Sequence, residues 1–160
     1  PVGKQYHHAY LGGLLEHSVD VCSLAVSMAN TMDRVDKDLV IAGALLHDIG
    51  KVKEISQSYG FTYMDTGRLL GHVAMSAMMV QEAANKLHMQ QSNIELLLHI
   101  ILSHHGEKDK GSPVDCETRE AFIVHYADEI NSIMNQFDNY SGKDKWEYNK
   151  MLQRNLLQMK

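Results

Sequence analysis

Apolar residues recur at spacings of three and four along almost the whole chain, and this pattern restricts the fold more than any other feature. Such spacing places apolar side chains on one face of an α-helix, which must be buried against other helices. The 160 residues include only two prolines and three phenylalanines. Short apolar runs punctuated by turns, which would indicate an all-β sandwich, are few. The sequence therefore predicts a single all-α domain over residues 1–160, a helical bundle with short loops.

Five core helices are expected within residues 6–137, followed by a helical tail over about 141–160. Asp36 is predicted to cap the second helix and Gly50 to end it. Ser92 and Glu95 have the spacing of a capping box at the start of the fourth helix. Gly60–Met64 is predicted to be extended. The predicted helices cover about residues 9–30, 36–50, 66–87, 92–105, 117–136 and, in the tail, 144–158.

Charge and composition exclude several classes of protein. Fifteen Lys and Arg against twenty Asp and Glu give a net charge of −5, whereas a domain that holds nucleic acid by its surface field alone would be basic. No apolar run approaches the roughly 20 residues of a membrane-spanning helix. Two cysteines are too few for a disulfide framework, so a reducing, cytoplasmic location is expected. The start at Pro1 without a methionine predicts a piece of a longer protein.

Ten histidines are more than a chain of this length usually carries. His47 and Asp48 are adjacent and directly follow an apolar helical run. Both side chains need polar partners once they are buried. Imidazole nitrogen and carboxylate oxygen together are typical ligands of a divalent transition metal, which would satisfy both. The pair therefore predicts a metal site at the end of the second helix.

Further candidate ligands occupy the predicted inward stripes of the other helices. Gly12 and Gly13 precede the candidate His17, and each would cost about 1 kcal/mol inside a helix relative to alanine. Their presence predicts a close approach there by a backbone or a ligand. Five histidines and two aspartates are too many for one ordinary site and suit two metals that share Asp48. The seven predicted ligands are His17, His47, Asp48, His72, His104, His105 and Asp128.

Taken singly, each of these residues also has an ordinary structural interpretation. A lone histidine is usually a satisfied core or surface residue, and His88, His99 and His125 are interpreted in this way. Asp128 alone could be a helix cap or an ion-pair partner. Five methionines are interpreted as core fillers: Met75, Met78, Met79, Met89 and Met134. The order of histidines and aspartates over five predicted helices favours metal binding over these alternatives.

Four segments of the chain resemble a known family. They are His7-His8-Ala9-Tyr10-Leu11-Gly12-Gly13-Leu14-Leu15-Glu16-His17, Leu45-Leu46-His47-Asp48-Ile49-Gly50-Lys51, Leu69-Leu70-Gly71-His72 and Ile101-Leu102-Ser103-His104-His105-Gly106. With Asp128 they resemble the HD-domain metal-dependent phosphohydrolases, in the two-metal branch that includes the HD-GYP cyclic-dinucleotide phosphodiesterases. More closely, the chain resembles the catalytic domain of YhaM-type 3′–5′ exoribonucleases, over residues 6–137.

The resemblance implies a five-helix HD core that removes nucleotides from the 3′ ends of single-stranded RNA or DNA. It implies two divalent metal ions. Mn²⁺ is the preferred metal, and Fe, Co, Ni, Zn or Mg are alternatives. Full-length relatives carry an N-terminal OB-fold domain, which this chain lacks, and a homo-oligomer is compatible with the resemblance. One departure is Asn131, where a further acidic residue is expected after Asp128.

The resemblance also implies roles for individual residues. One metal would be held by His17, His47, Asp48 and Asp128, and the second by Asp48, His72, His104 and His105. A hydroxide between the metals would attack phosphorus in line with the leaving 3′-oxygen. Asp48 and Lys51 are the predicted catalytic residues, although Lys51 could equally complement a helix dipole. The predicted substrate contacts are Lys51, Arg68, His7 and His8.

Two other functions remain open at this stage. One is an HD-type phosphohydrolase of mononucleotides or cyclic dinucleotides. The other is a non-catalytic metal-binding module with a regulatory role. Every expected ligand position carries a histidine or an aspartate, which argues against the non-catalytic module.

Overall fold

Five long helices carry the fold in the computed structural model, which describes residues 12–56, 62–138 and 145–158. Within these ranges a single-turn helix α3 (Lys51–Glu54) follows α2 (Lys37–Leu46), and a short 3₁₀ turn precedes α6 (Arg119–Asp138). The predicted all-α class is confirmed. No helix in the described ranges is both long enough and apolar enough to cross a bilayer. The long helices are α1 (Gly13–Ala29), α2 (Lys37–Leu46), α4 (Asp65–Lys86), α5 (Gln91–Ser103) and α6 (Arg119–Asp138).

Two groups of buried side chains hold the helices together. The larger joins α1, α2 and α6 through residues such as Val21, Val40 and Val124, all fully buried. The smaller joins α4 and α5 through Val80, Leu97 and Ile101 and packs against α2. Fully burying one such side chain stabilises the fold by about 1.5–3 kcal/mol. The C-terminal ends of α2 and α5 are thereby fixed beside each other, between α1, α4 and α6.

The start of α2 is as predicted, because Asp36 Oδ1 accepts a hydrogen bond from the Leu39 amide at 3.1 Å. Its end differs from the prediction: α2 stops at Leu46 and α3 resumes at Lys51, with Gly50 in the turn between them. The Gly50 amide donates to Ser76 Oγ at 2.8 Å. A Cβ at Gly50 would overlap the His72 carbonyl oxygen. Gly50 therefore allows α4 to lie directly against this turn.

The predicted capping box at Ser92 is wrong. Helix α5 begins at Gln91, so Ser92 already lies in its first turn. The Glu95 carboxylate accepts from the Gln91 side chain at 3.0 Å instead of reaching back to Ser92. The prediction of internal helix glycines before His17 is also wrong. Gly12 has a φ of 87° and is the residue before α1, and Gly13 is the first residue of that helix.

Helix α4 is interrupted at Gly71, where φ is 72° and ψ is 153°. Leu69 is therefore 82% exposed and Leu70 49% exposed, although both were expected on the inward stripe. Because the backbone rotates at Gly71, side chains before it do not face the same direction as they would in one continuous helix. His72 reaches the interior because of this interruption and not as a continuation of the stripe from Leu69.

The predicted C-terminal helix is wrong, because this segment forms a β-hairpin. Strand β3 (Trp146–Asn149) pairs antiparallel with β4 (Arg154–Leu157), with Trp146 opposite Leu157. The Asn149 side-chain oxygen accepts the amides of Met151 and Leu152 at 3.0 and 2.9 Å. A side chain that bonds the backbone two residues on favours a turn over a helix.

A second short hairpin pairs β1 (Ile55–Ser56) with β2 (Thr62–Tyr63). The predicted extended stretch is thus confirmed at residues 62–63, and residues 60–61 lie outside the described ranges.

Candidate metal centre

All seven predicted ligands converge on one region, where Asp48 is at the centre. Helix α1 contributes His17, the turn after α2 contributes His47 and Asp48, and α6 contributes Asp128. His72 comes from α4, and His104 and His105 come from the end of α5. The structure thus brings these side chains together, and their role as metal ligands stays a prediction.

The two carboxylate oxygens of Asp48 face two different groups of side chains. Oδ2 lies 3.7 Å from His17 Nε2 and 3.5 Å from His47 Nε2. Asp128 Oδ1 lies 3.1 Å from the same nitrogen of His17. We call His17, His47, Asp48 and Asp128 the first cluster.

On the other side, Asp48 Oδ1 lies 3.4 Å from His72 Nε2 and 3.7 Å from His104 Nε2. The His105 ring centre lies 4.2 Å from that of His104 and 5.3 Å from that of His72. We call Asp48, His72, His104 and His105 the second cluster. Asp48 therefore belongs to both clusters, one oxygen to each.

Hydrogen bonds on the far side of three rings orient them toward the centre. His47 Nδ1 lies 2.8 Å from the Ala44 carbonyl oxygen, and His104 Nδ1 lies 2.7 Å from that of Ile101. His17 Nδ1 lies 2.8 Å from Asn131 Oδ1. Because these oxygens only accept, each Nδ1 donates the hydrogen bond, and Nε2 of each ring faces Asp48. Such a partner fixes the tautomer of metal-binding histidines.

Burial and neighbouring charges shift the pKa values of several groups in this region. Burial lowers the pKa of His104 well below its usual value and also lowers that of His105. Burial alone would raise the pKa of Asp48, but Lys51 and the neighbouring histidines outweigh it and hold the pKa well below its ordinary value. Burial opposes protonation of His17, yet its contact with Asp128 raises its pKa overall.

Several atoms of the predicted ligands lack any hydrogen-bond partner within the described part of the chain. They are buried nitrogen and oxygen atoms: Asp48 Oδ1, His72 Nε2, His104 Nε2 and His105 Nδ1. Leaving such an atom unsatisfied costs about 1–3 kcal/mol. Donor atoms of His72, His104 and His105 lie within 4.8 Å of one another, as do those of His17, His47 and Asp48. A divalent metal fits the second cluster, to which all four of these atoms belong, because it binds to lone pairs that no protein group in the described chain uses.

Without metal, the protein is expected to lose stability as pH falls below about 6.5. His104 and His105 have lowered pKa values, so the unfolded chain binds their protons first, at the ordinary value of 6.5. Each histidine kept neutral costs about 1.4 kcal/mol per pH unit below that point. The raised pKa of His17 acts above 6.5, and the lowered pKa of Asp48 acts below 3.8, so neither affects this window. Thermal unfolding in chelator between pH 7 and 5 tests this, and a constant melting temperature would contradict it.

The predicted substrate contacts have different outcomes. Lys51 Nζ donates to Asp48 Oδ2 at 2.5 Å and lines the cavity beside the clusters. Arg68 is exposed and is not among the described residues that line this cavity. His7 and His8 lie outside the described residues. Of the four, Lys51 is therefore the residue that the structure places beside the clusters.

Sequence reasoning missed several residues that support the site. Asn131, noted only as a departure, orients His17. The buried carboxylate of Glu54 lies 3.4 Å from His72 Nδ1. His125, interpreted as an ordinary core residue, places Nδ1 2.8 Å from the His104 carbonyl oxygen and also lines the cavity. The position of Glu54, six residues after Asp48, was the one available signal in the sequence.

A cavity of about 740 Å³ opens beside the two clusters. The polar residues that line it include Asp48, His104, His105 and Asp128. The apolar residues that line it include Ile133 from α6 with Met151 and Leu152 from the tip of the C-terminal hairpin. Asn149 Nδ2 donates to Gln136 Oε1 at 3.3 Å, which ties this hairpin to α6. The volume falls within the range of about 300–1,000 Å³ that is typical of small-molecule sites.

Comparisons with known proteins agree with this architecture. The profile of the HD domain family matches residues 14–132, well over half of the chain. The fold is similar to the crystal structure of the HD domain of the phosphodiesterase PgpH from L. monocytogenes, with a TM-score of 0.53 and 18% identity. That match covers 82% of this chain and 71% of the other. The chain therefore belongs to the HD-domain family, the metal-dependent phosphohydrolases that its sequence resembles.

Proposed function

We propose that this domain is a metal-dependent 3′–5′ exonuclease that releases nucleotides from single-stranded RNA or DNA. The observation that carries the proposal is the position of Asp48 between two sets of histidines, with one oxygen toward each. A carboxylate placed in this way suits a pair of divalent ions. We expect Mn²⁺ to be the preferred metal. Carboxylate and imidazole ligands together accept Mn, Fe, Co, Ni or Zn, and geometry and availability select among them.

Two divalent ions, when bound, would neutralise phosphate charge and supply a nucleophile from water at neutral pH. The chain's own residues prepare for this. The rings of His47 and His104 hold their Nε2 atoms in place through hydrogen bonds on the opposite nitrogen. Lys51 is largely buried between Asp48 and the cavity. We assign its ammonium to a phosphate oxygen of the substrate.

The charge of the chain is consistent with a local phosphate site. At a net charge of −5, the surface as a whole does not attract a nucleic acid. Positive charge must therefore be concentrated at the site. Lys51 and the divalent ions that the two clusters would hold provide this charge. The cavity of about 740 Å³ is large enough for one nucleotide. A site for one nucleotide suits removal of terminal nucleotides from a strand.

A second candidate is hydrolysis of a mononucleotide or a cyclic dinucleotide. The observation in its favour is the likeness of the fold to the HD domain of a phosphodiesterase, PgpH. The same cavity and the same residues would serve that reaction. The two candidates differ in whether the cavity takes the end of a chain or a whole small molecule.

A substrate panel with Mn²⁺ separates the candidates. With single-stranded RNA labelled at its 5′ end, we expect stepwise shortening and release of 5′-mononucleotides, because water would attack phosphorus and displace the 3′-oxygen. Cleavage of a small nucleotide without any mononucleotide from RNA would contradict the exonuclease. Metal-loaded protein that hydrolyses neither class would instead indicate a non-catalytic module.

A further inference from the structure

Glu54 is a buried carboxylate that the proposed reaction does not use directly. It ends α3, three residues after Lys51 and six residues after Asp48. Its Oε2 atom lies 3.4 Å from Nδ1 of His72, on the side of the ring that faces away from Asp48. A buried carboxylate is costly unless it is paired, and the imidazole of His72 provides that partner.

The backbone around Glu54 is packed so that this contact is held. A Cβ at Gly67 would come within 2.7 Å of the Cα and Cγ atoms of Glu54. The Gly50 amide donates to Ser76 Oγ on α4 at 2.8 Å. The Met64 amide donates to the Glu54 carbonyl oxygen at 2.9 Å. These contacts fix α3 against α4, and they fix the carboxylate opposite the ring.

His72 differs in this respect from the other oriented rings. The oxygen that faces Nδ1 is a neutral amide in His17 and a neutral backbone carbonyl in His47 and His104. In His72 it belongs to a carboxylate. A carboxylate on the far nitrogen makes the imidazole a stronger electron donor to a metal than a neutral acceptor does, and it fixes the ring orientation.

We propose that Glu54 is a positioning residue that fixes His72 and strengthens it as a ligand, so that the second cluster retains its metal ion. The proposal rests on the metal-dependent function above. It predicts that the two clusters depend on Glu54 to different extents. The first cluster has no residue in contact with Glu54 among the contacts of the described chain, so its ion should be retained.

The test is Mn²⁺ binding to the whole chain by equilibrium dialysis with metal analysis. Wild-type protein is expected to bind two ions, whereas Glu54→Gln retains one and binds the other about 10–100-fold more weakly. Electron paramagnetic resonance adds a readout that is independent of activity, since a spin-coupled Mn²⁺ pair should give way to an isolated ion. Glu82→Gln is the matched control, because Glu82 lies exposed on the same helix as His72, and it should behave as wild type.

Two unchanged ions in Glu54→Gln, or equal weakening of both, would overturn the proposal. If that variant does not fold, Glu54→Asp replaces it, because it keeps the charge but shortens its reach toward His72. Selective weakening of one ion is expected there too, and its absence counts against the proposal. If wild-type protein binds no divalent ion, the metal-dependent function itself fails. If wild type binds two ions and the variants do not discriminate, only the role of Glu54 fails.

Discussion

Replacement of Asp48 by asparagine is expected to abolish hydrolysis, with a rate at least about a thousand-fold below that of wild type. The change keeps the shape of the side chain but removes the charge that both clusters share, since each carboxylate oxygen faces a different pair of histidines. Metal ions contribute several kcal/mol of transition-state stabilisation, and about 4 kcal/mol corresponds to that factor. Single-turnover hydrolysis together with metal analysis measures both effects.

The matched control is Asp38→Asn, which makes the same chemical change at an exposed position in the first turn of α2. This control should hydrolyse substrate at nearly the wild-type rate. Circular dichroism of Asp48→Asn is expected to show an intact helical fold, so that loss of activity does not reflect unfolding. Hydrolysis by Asp48→Asn within tenfold of wild type would refute the central role of this carboxylate.

Protein purified without chelator is expected to contain close to two divalent ions per chain, and removal of the ions should lower its melting temperature by about 8–16 °C. A ligand at a thousand times its dissociation constant stabilises the folded state by about 4 kcal/mol. For a domain of this size each kcal/mol corresponds to about 2–4 °C. The buried ligand atoms without hydrogen-bond partners in the described chain are the physical reason, because they gain a partner only when metal binds.

Thermal unfolding before and after chelation, followed by return of Mn²⁺, measures this effect. Hydrolysis should disappear and return with the ions. Return of Ca²⁺ in place of Mn²⁺ is a useful control, because Ca²⁺ prefers oxygen ligands and suits these imidazole-rich clusters poorly. A melting temperature that does not respond to any divalent ion would be incompatible with two bound metals.

Much of the fold follows from local patterns along the chain. Apolar spacing predicts the five long helices to within a few residues, since an amphipathic helix depends mainly on its own periodicity. Asp36 caps α2 as expected, because a cap needs only the residues of one turn. The prediction of a helix in the C-terminal tail was wrong because it used only this local spacing. Its apolar residues fit a helix, but the side chain of Asn149 organises a hairpin turn at Met151 and Leu152.

The clustered residues were also recognisable as a set, since histidines and aspartates on inward helix faces need polar partners. The residues that contact and orient these side chains could not be identified from the sequence. Asn131 orients His17 from 114 residues away, a contact that no local pattern encodes. Glu54 meets His72 only because α4 packs directly against the turn at Gly50. Such partners depend on close approach between helices, which is decided by the packing of the whole bundle.

By itself, then, the sequence determined the helical class, the approximate helices and the residue types that meet at the centre, because periodicity and side-chain chemistry are local properties. The tertiary structure alone decided how these residues are arranged. The interruption at Gly71 turns His72 inward, and the packing of α2 between its neighbours places one oxygen of Asp48 toward each cluster. The physical reason is that distances between helices depend on which side chains and glycines let their backbones approach.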